Sequence, residues 1–252
     1  MTSPIETPKT GAAGYYDSVA RDWDRTHGAS RQNAIFAARF RRELQRLLAP
    51  VRGAGDGLEL GAGTGAYVEV TAPFFGSLLA TDLSDGMLEV FRQRLERLGL
   101  ANVTLKRVDA LDLDGIADAS MDVVFSLGLL ETLPDLDRHF AQCLRVLRPG
   151  GAVLGITSNG DCPWYALRWL LQGGSKHCRQ QELARPRKLE ELLDAAGFDG
   201  FSARTWGAVP PGLQNGTVAA MLDAAEKIIE RTPARAYLGI MSFAARKRSP
   251  ET

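Results

Sequence analysis

From Leu58 onward, short apolar runs alternate with amphipathic stretches, and this alternation restricts the fold more than any other feature of the chain. "LEL" (58–60) ends a first strand, and a helix is expected from about Thr64. "SLLATD" (77–82) reads as a second strand, after which Ser84 can cap the helix "DGMLEVFRQRLERLG" and Gly99 can end it. "NVTLKRVDA" and "MDVVFSL" read as a third and a fourth strand. The helix "DLDRHFAQCLRVL" is stopped by "RPGG", and "AVLGITS" makes a fifth strand. A helix over Pro186–Ala196 ends at Gly197, and "FSARTWGAV" and "YLGIMSFAARK" supply two late strands. Parallel neighbours need crossovers of this length, so the pattern predicts an α/β fold with a doubly wound, mostly parallel sheet. With 252 residues and 45% hydrophobic content, one substantial core is expected rather than two.

Segments outside this rhythm define the remaining organisation. Residues 1–14 are rich in Pro, Thr, Ala and Gly and read as a flexible tail. From Tyr15 to about Leu48 the pattern is helical, with Phe36, Phe40, Leu44, Leu47 and Leu48 on one face. Arg39, Arg41, Arg42 and Arg46 fall mostly on other faces and read as a solvated surface. Residues 51–248 then form the main domain. It is interrupted by 159–185, after the fifth strand, and by 208–236, between the last two strands. Insertions at the carboxyl ends of parallel strands lie beside the ligand crevice, which makes both candidates for a cap. The second carries Val218, Met221, Leu222, Ala225, Ile228 and Ile229 on one helical stripe, a pattern expected to pack.

Within "LELGAGTG" three glycines occupy five positions directly after the first strand. Glycine allows positive φ and lets a ligand approach the main chain, as nucleotide-type cofactors do between a strand and a helix. Gly61-Ala62-Gly63-Thr64-Gly65-Ala66 also satisfies the dinucleotide fingerprint. Asp82 ends the second strand, where a carboxylate can accept from both hydroxyls of a ribose. On these residues alone, NAD and S-adenosylmethionine are both open.

Thirty basic and thirty acidic residues leave no formal net charge, so no general attraction to nucleic acid or to a membrane surface is implied. Cys143, Cys162 and Cys178 show no CxxC spacing, and their odd number cannot form a complete disulfide framework. A reducing, cytoplasmic setting is expected. Cys162, His177 and Cys178 do not match the spacing of a zinc site, and no metal is expected. No signal-like leader and no apolar run of about 18 residues is found, so no membrane association is predicted. Nothing in the sequence sets the oligomeric state.

Taken in order, five stretches resemble the class I S-adenosylmethionine-dependent methyltransferases, over about residues 56–158. "LELGAGTG" is similar to the first motif, with Glu59 before Gly61, Ala62, Gly63 and Gly65. "LLATDLSDGML" is similar to the second, which implies that Asp82 holds the ribose and that Leu83 and Met87 line the adenine. "RVDALDL" is similar to the third, which implies that Asp109 accepts from the adenine amino group and Ala110 adds a backbone contact. "MDVVFSLGLLETLPD", containing Ser126, and "LRVLRPGG" complete the series. The resemblance implies seven strands with the last antiparallel, S-adenosyl-L-methionine as cofactor and S-adenosyl-L-homocysteine as its product. "GYYDSVARDWDRTH" is similar to an N-terminal segment that covers the cofactor, implying a helical lid over 15–50 with Tyr16 and Trp23 touching the cofactor, and Tyr15 beside them.

Methyl transfer from a sulfonium needs in-line positioning more than acid–base machinery, although an oxygen nucleophile can require a base. Glu131, after the fourth strand, and His177, in the first insertion, are the candidate bases. His139 sits on a helix face with core residues and reads as structural. Trp164, Tyr165, Trp169 and Trp206 are candidates for an aromatic acceptor pocket. No "NPPY"-type sequence follows the fourth strand, which speaks against methylation of exocyclic base amines. The expected function is therefore methyl transfer to an oxygen or nitrogen of a small molecule. Its alternatives are a reaction at the aminocarboxypropyl chain of the same cofactor, or RNA methylation.

Overall fold

A computed structural model describes residues 11–26, 34–165, 185–209 and 215–249. Seven strands form a single sheet: β1 (Ala54–Leu60), β2 (Phe75–Asp82), β3 (Val103–Arg107), β4 (Met121–Leu127), β5 (Leu147–Ser158), β6 (Phe198–Trp206) and β7 (Ile240–Lys247). Their order is β3-β2-β1-β4-β5-β7-β6. The first five run parallel, and β7 is antiparallel to both β5 and β6. The order reverses between β1 and β4, so a crevice opens at the carboxyl ends of these strands beside the glycine turn.

The helices are α1 (Gly11–Val19), α2 (Trp23–Thr26), α3 (Ala34–Leu48), α4 (Val68–Thr71), α5 (Asp85–Leu98), α6 (Leu136–Val146), α7 (Pro186–Ala196) and α8 (Gly216–Ile229). Their ends follow local chemistry. The Ser84 hydroxyl accepts from Met87 N at 3.1 Å and starts α5, while Gly99 ends it at φ 65°. The Asp135 carboxylate accepts from Arg138 N at 2.9 Å and starts α6.

A separate core fills each face of the sheet. On one, Leu136, Phe140, Cys143 and Val146 of α6 and Leu189 and Leu193 of α7 pack on Leu58, Leu60, Val124 and Val153. On the other, Phe36, Phe40, Leu44 and Leu48 of α3 join Val68, Phe91, Leu78, Phe125, Leu154 and Trp206.

Several expectations need correction. Helix α1 begins at Gly11, so the last residues of the predicted tail are helical. Within the predicted lid, 15–50, α3 belongs to the core, because its apolar face is one wall of the second cluster. After the glycine turn there is only the four-residue α4, followed by a 3-10 turn over Ala72–Phe74. A helix dipole therefore contributes little there. On α8, Val218, Met221 and Ile228 are exposed, the last two by 67% and 69%, whereas Ala219 and Glu226 are buried. Only part of the stripe turns inward, with Leu222, Ala225 and Ile229 half-buried, and a buried carboxylate helps to orient this helix. Glu226 accepts from Gly207 N at 2.8 Å and Ala208 N at 2.9 Å, and lies 3.3 Å from the Arg39 guanidinium. Arg39 also pairs with Glu43 and Glu230, so an arginine read as solvated is buried in an ionic cluster.

Candidate cofactor and active site

The site is built around Gly61–Gly65, which leaves β1 and turns back toward α4. Gly61, Gly63 and Gly65 have φ of 65°, 55° and 69°, a region that disfavours side chains. Their surroundings nevertheless differ. A Cβ on Gly61 would lie 2.7 Å from Leu129, and one on Gly65 would lie 2.2 Å from the Phe91 ring. A Cβ on Gly63 would meet nothing within 4 Å. Two glycines therefore serve packing and one leaves bare backbone facing open space. Ala62 N donates to Thr81 O at 2.8 Å and Gly65 N to Ala62 O at 3.0 Å, which fixes the turn against β2.

Two carboxyl groups border that turn. Asp82, at the end of β2, accepts from Gly63 N at 2.8 Å and Ser84 N at 2.9 Å, one bond to each oxygen. A carboxylate has about four lone-pair sites, so acceptor capacity remains. Burial pushes the Asp82 carboxyl above its ordinary range despite these bonds. Glu59, buried in β1, has an Oε2 without a hydrogen-bond partner among the described residues. Burial, and then the charge of Asp82, push its carboxyl up to about 8. Such acceptors suit hydroxyl groups and, when ionised, a cation.

Leu83 follows Asp82, and its carbonyl accepts from Arg107 Nε at 3.1 Å; Met87 is buried on the first turn of α5. Beyond β3, Asp109 Oδ1 accepts from Leu111 N at 2.9 Å in a tight turn that contains Ala110. Ser126 is buried in β4, in register with Leu60.

The N-terminal segment closes one side. Tyr16 is half-buried, and burial, with the charges of Asp82 and Glu131, raises its phenol pKa. Tyr15 and Trp23 flank Tyr16 edge-on, with centroids 5.3 and 5.7 Å away. Two aspartates that the sequence reading missed hold the segment down. Asp17 Oδ1 accepts from Ser84 Oγ at 2.6 Å and Gly86 N at 2.9 Å. Asp24 accepts from Thr64 Oγ1 at 2.6 Å and pairs with Arg94. Their spacing of two helical turns was the available signal, since it puts both on one face.

Glu131 lies in a 3-10 turn after β4. Its Oε1 accepts from Ser158 N at 2.7 Å, tying this turn to the end of β5, and its Oε2 is buried without a partner among the described residues. His177, Trp169 and Cys178 lie outside the described residues. Trp206 is no part of a pocket: it is fully buried, 6.1 Å from the Phe36 ring and 5.8 Å from that of Phe40. Trp164 is exposed, and Tyr165 donates its hydroxyl to Gly239 O at 3.0 Å. Among the described residues there is no cluster of three metal-ligating side chains.

The strand order, the open backbone at Gly63 and the carboxyl groups beside it define a class I S-adenosylmethionine-dependent methyltransferase, and the chain belongs to that family. The profile of a family described as a methyltransferase domain matches residues 58–155. The malonyl-[acyl-carrier protein] O-methyltransferase of Methylococcus capsulatus is 30% identical over 199 residues, covering 76% of this chain and 71% of the relative. A ubiquinone biosynthesis O-methyltransferase of Mesorhizobium japonicum is 28% identical, covering 76% of this chain and 83% of its own. The fold is shared with the Haemonchus contortus phosphoethanolamine N-methyltransferase 2 in complex with S-adenosyl-L-methionine. That match has a TM-score of 0.60 and 21% identity, covering 91% of this chain and 60% of the other. The cofactor is S-adenosylmethionine.

Proposed function

We propose that this chain transfers a methyl group to a hydroxyl oxygen of a small molecule, with Glu131 facing the acceptor. Bound S-adenosylmethionine supplies an electrophilic methyl on a sulfonium. Asp82 accepts from the ribose hydroxyls through its remaining lone pairs, and Asp109 Oδ2 accepts from the adenine amino group. Glu59 faces the cationic end, Leu83, Met87 and Ala110 line the purine side, and Ser126, on the β4 side of the crevice, is a further cofactor contact. Tyr16 and Trp23 cover the cofactor and exclude water.

The observation that carries the acceptor assignment is the geometry of Glu131: one oxygen is fixed by Ser158 N and the other is buried without a partner among the described residues. A buried acceptor in that state favours a donor, so it suits a neutral hydroxyl better than a second carboxylate. The two relatives named as O-methyltransferases support oxygen. Cys143 and Cys162 are free thiols, which supports a reducing, cytoplasmic setting. Zero net charge supports a small-molecule acceptor over nucleic acid. Among the described residues no helix is long and apolar enough to cross a membrane.

The test is incubation with methyl-13C cofactor and a panel of phenols, aliphatic alcohols, carboxylic acids and amines. Label on a hydroxyl oxygen, with kcat lowered about 100-fold or more in Glu131→Gln, is the expected result. Release of methylthioadenosine, or label only on carboxylates or amines, overturns it. A His177→Ala variant with wild-type kcat removes the second candidate base.

A further inference from the structure

Below the turn that carries Asp109, the first turns of α6 hold two successive main-chain carbonyls, of Ala110 and Leu111. His139 is buried, and its Nδ1 lies 2.9 Å from Ala110 O. Because a carbonyl only accepts, the ring must carry its proton on Nδ1. Nε2 then presents a lone pair to the Cys143 thiol, whose sulfur is 3.7 Å away in the same helix. Burial lowers the His139 pKa to about 4 and pushes the Cys143 thiol up, so the neutral ring and the protonated thiol match these roles. Beside them, Arg138 donates from Nε to Leu111 O at 3.0 Å and pairs with Asp112. Phe140 lies against the imidazole at 5.1 Å between centroids and 61° between planes, which fixes the ring plane.

The turn needs such support. It closes through Asp112 N and Leu113 N, both donating to Asp109 O at 3.1 and 2.9 Å. Leu113 adopts φ 48°, an unfavourable left-handed conformation for leucine. One Asp109 oxygen is spent on Leu111 N, so any rotation of the 109–111 main chain redirects the other.

We infer that His139 is a positioning residue of the cofactor site, which acts through the Ala110 carbonyl to aim the free oxygen of Asp109 at the amino group of the adenine and so sets the preference for adenine over a 6-oxo purine. Any cofactor-binding fold must hold this turn, but here a buried histidine relays the hold from the α6 interior. The inference rests on the assignment of Asp109 to the adenine.

Calorimetry with S-adenosylhomocysteine and S-inosylhomocysteine separates the two. The inosyl compound presents an oxygen to Asp109 in place of an amino group. Wild type should prefer the adenosyl compound by roughly tenfold or more, the scale of one hydrogen bond to a charged group. Asp109→Ala should lose that preference; if it does not, the adenine assignment fails and the inference with it. His139→Asn places an amide near the position of Nδ1 and should keep most of the preference. His139→Gln places its amide toward Cys143 instead and should lose it. Thermal unfolding of both variants shows whether each is folded, and only the ratio of the two affinities is read. A His139→Gln protein that is folded and retains the wild-type ratio, while Asp109→Ala has lost it, overturns the role assigned to His139. Loss in His139→Asn equal to that in His139→Gln would also overturn it, because the hydrogen bond to Ala110 would then not be the cause.

Discussion

At the scale of single residues, the glycine turn shows how one motif can hold different physical requirements. Gly65→Val should prevent folding, because a Cβ there already lies 2.2 Å from the Phe91 ring. Gly63→Val should leave the sheet folded, since only open space adjoins it, yet the melting temperature should no longer rise with S-adenosylhomocysteine. Circular dichroism with and without ligand checks both. Glu59 supplies a second test. Its carboxyl titrates near 8 in the ligand-free protein, so below that pH it is protonated, whereas a cationic cofactor favours the carboxylate. Binding should therefore release a proton, and affinity should rise by up to roughly tenfold per unit toward pH 8 and level off above it. Glu59→Gln should flatten that profile. The same group lowers the stability of the ligand-free protein between about pH 4.5 and 8, where it is ionised only when unfolded and folding takes up a proton. That Asp82, Glu59 and the glycine turn lie together at the ends of β1 and β2 was legible from the strand pattern, because each follows or ends a strand of the parallel sheet. The packing roles of Gly61 and Gly65 were not, since their partners Leu129 and Phe91 come from distant parts of the chain.

At the scale of elements, the strands and the helices α5, α6 and α7 lie where apolar periodicity and capping residues put them. The failures share a cause. Helix α8 was read from its apolar stripe, but Glu226 and its partner Arg39 on α3 decide which face turns inward, and such a pairing has no local signature. Glu226→Ala should destabilise the protein by about 2–4 kcal/mol, because the amides of Gly207 and Ala208 lose their acceptor while Arg39 keeps Glu43 and Glu230. Ile228→Ser and Met221→Ser should each change stability by less than about 0.5 kcal/mol, because both side chains face solvent. Denaturant melts of the three variants test this ordering. The N-terminal segment follows similar logic: α1 is too short to be stable alone, and it is held by Asp17 on Ser84 and Gly86 and by Asp24 on Thr64. The double variant Asp17→Ala/Asp24→Ala should speed hydrogen exchange over 11–26 while leaving β1–β5 protected. Unchanged exchange would show that Tyr16 and Trp23 anchor the segment by packing alone.

Across the whole molecule, the two cores on opposite faces of one sheet leave the carboxyl ends of β1, β2 and β4 as the common border of glycine turn, Asp82, Glu131 and Tyr16. The parallel part of this layout was legible, because strand–helix alternation admits few connections. The antiparallel direction of β7 followed only from the family resemblance, and its place between β5 and β6 was not legible, since two late strands read alone fix no order. Residue roles in acceptor binding were least legible: Trp206 has the composition of a pocket residue and the surroundings of a core residue. The central claim is that the open backbone at Gly63 and the Asp82 carboxylate hold S-adenosylmethionine. Titration calorimetry of S-adenosylhomocysteine into wild type and Asp82→Ala tests it most directly. Wild type should show one site per chain, and the variant should lose roughly 1.5–3 kcal/mol of binding free energy. Absence of binding to wild type, or equal affinity in the two proteins, would contradict it.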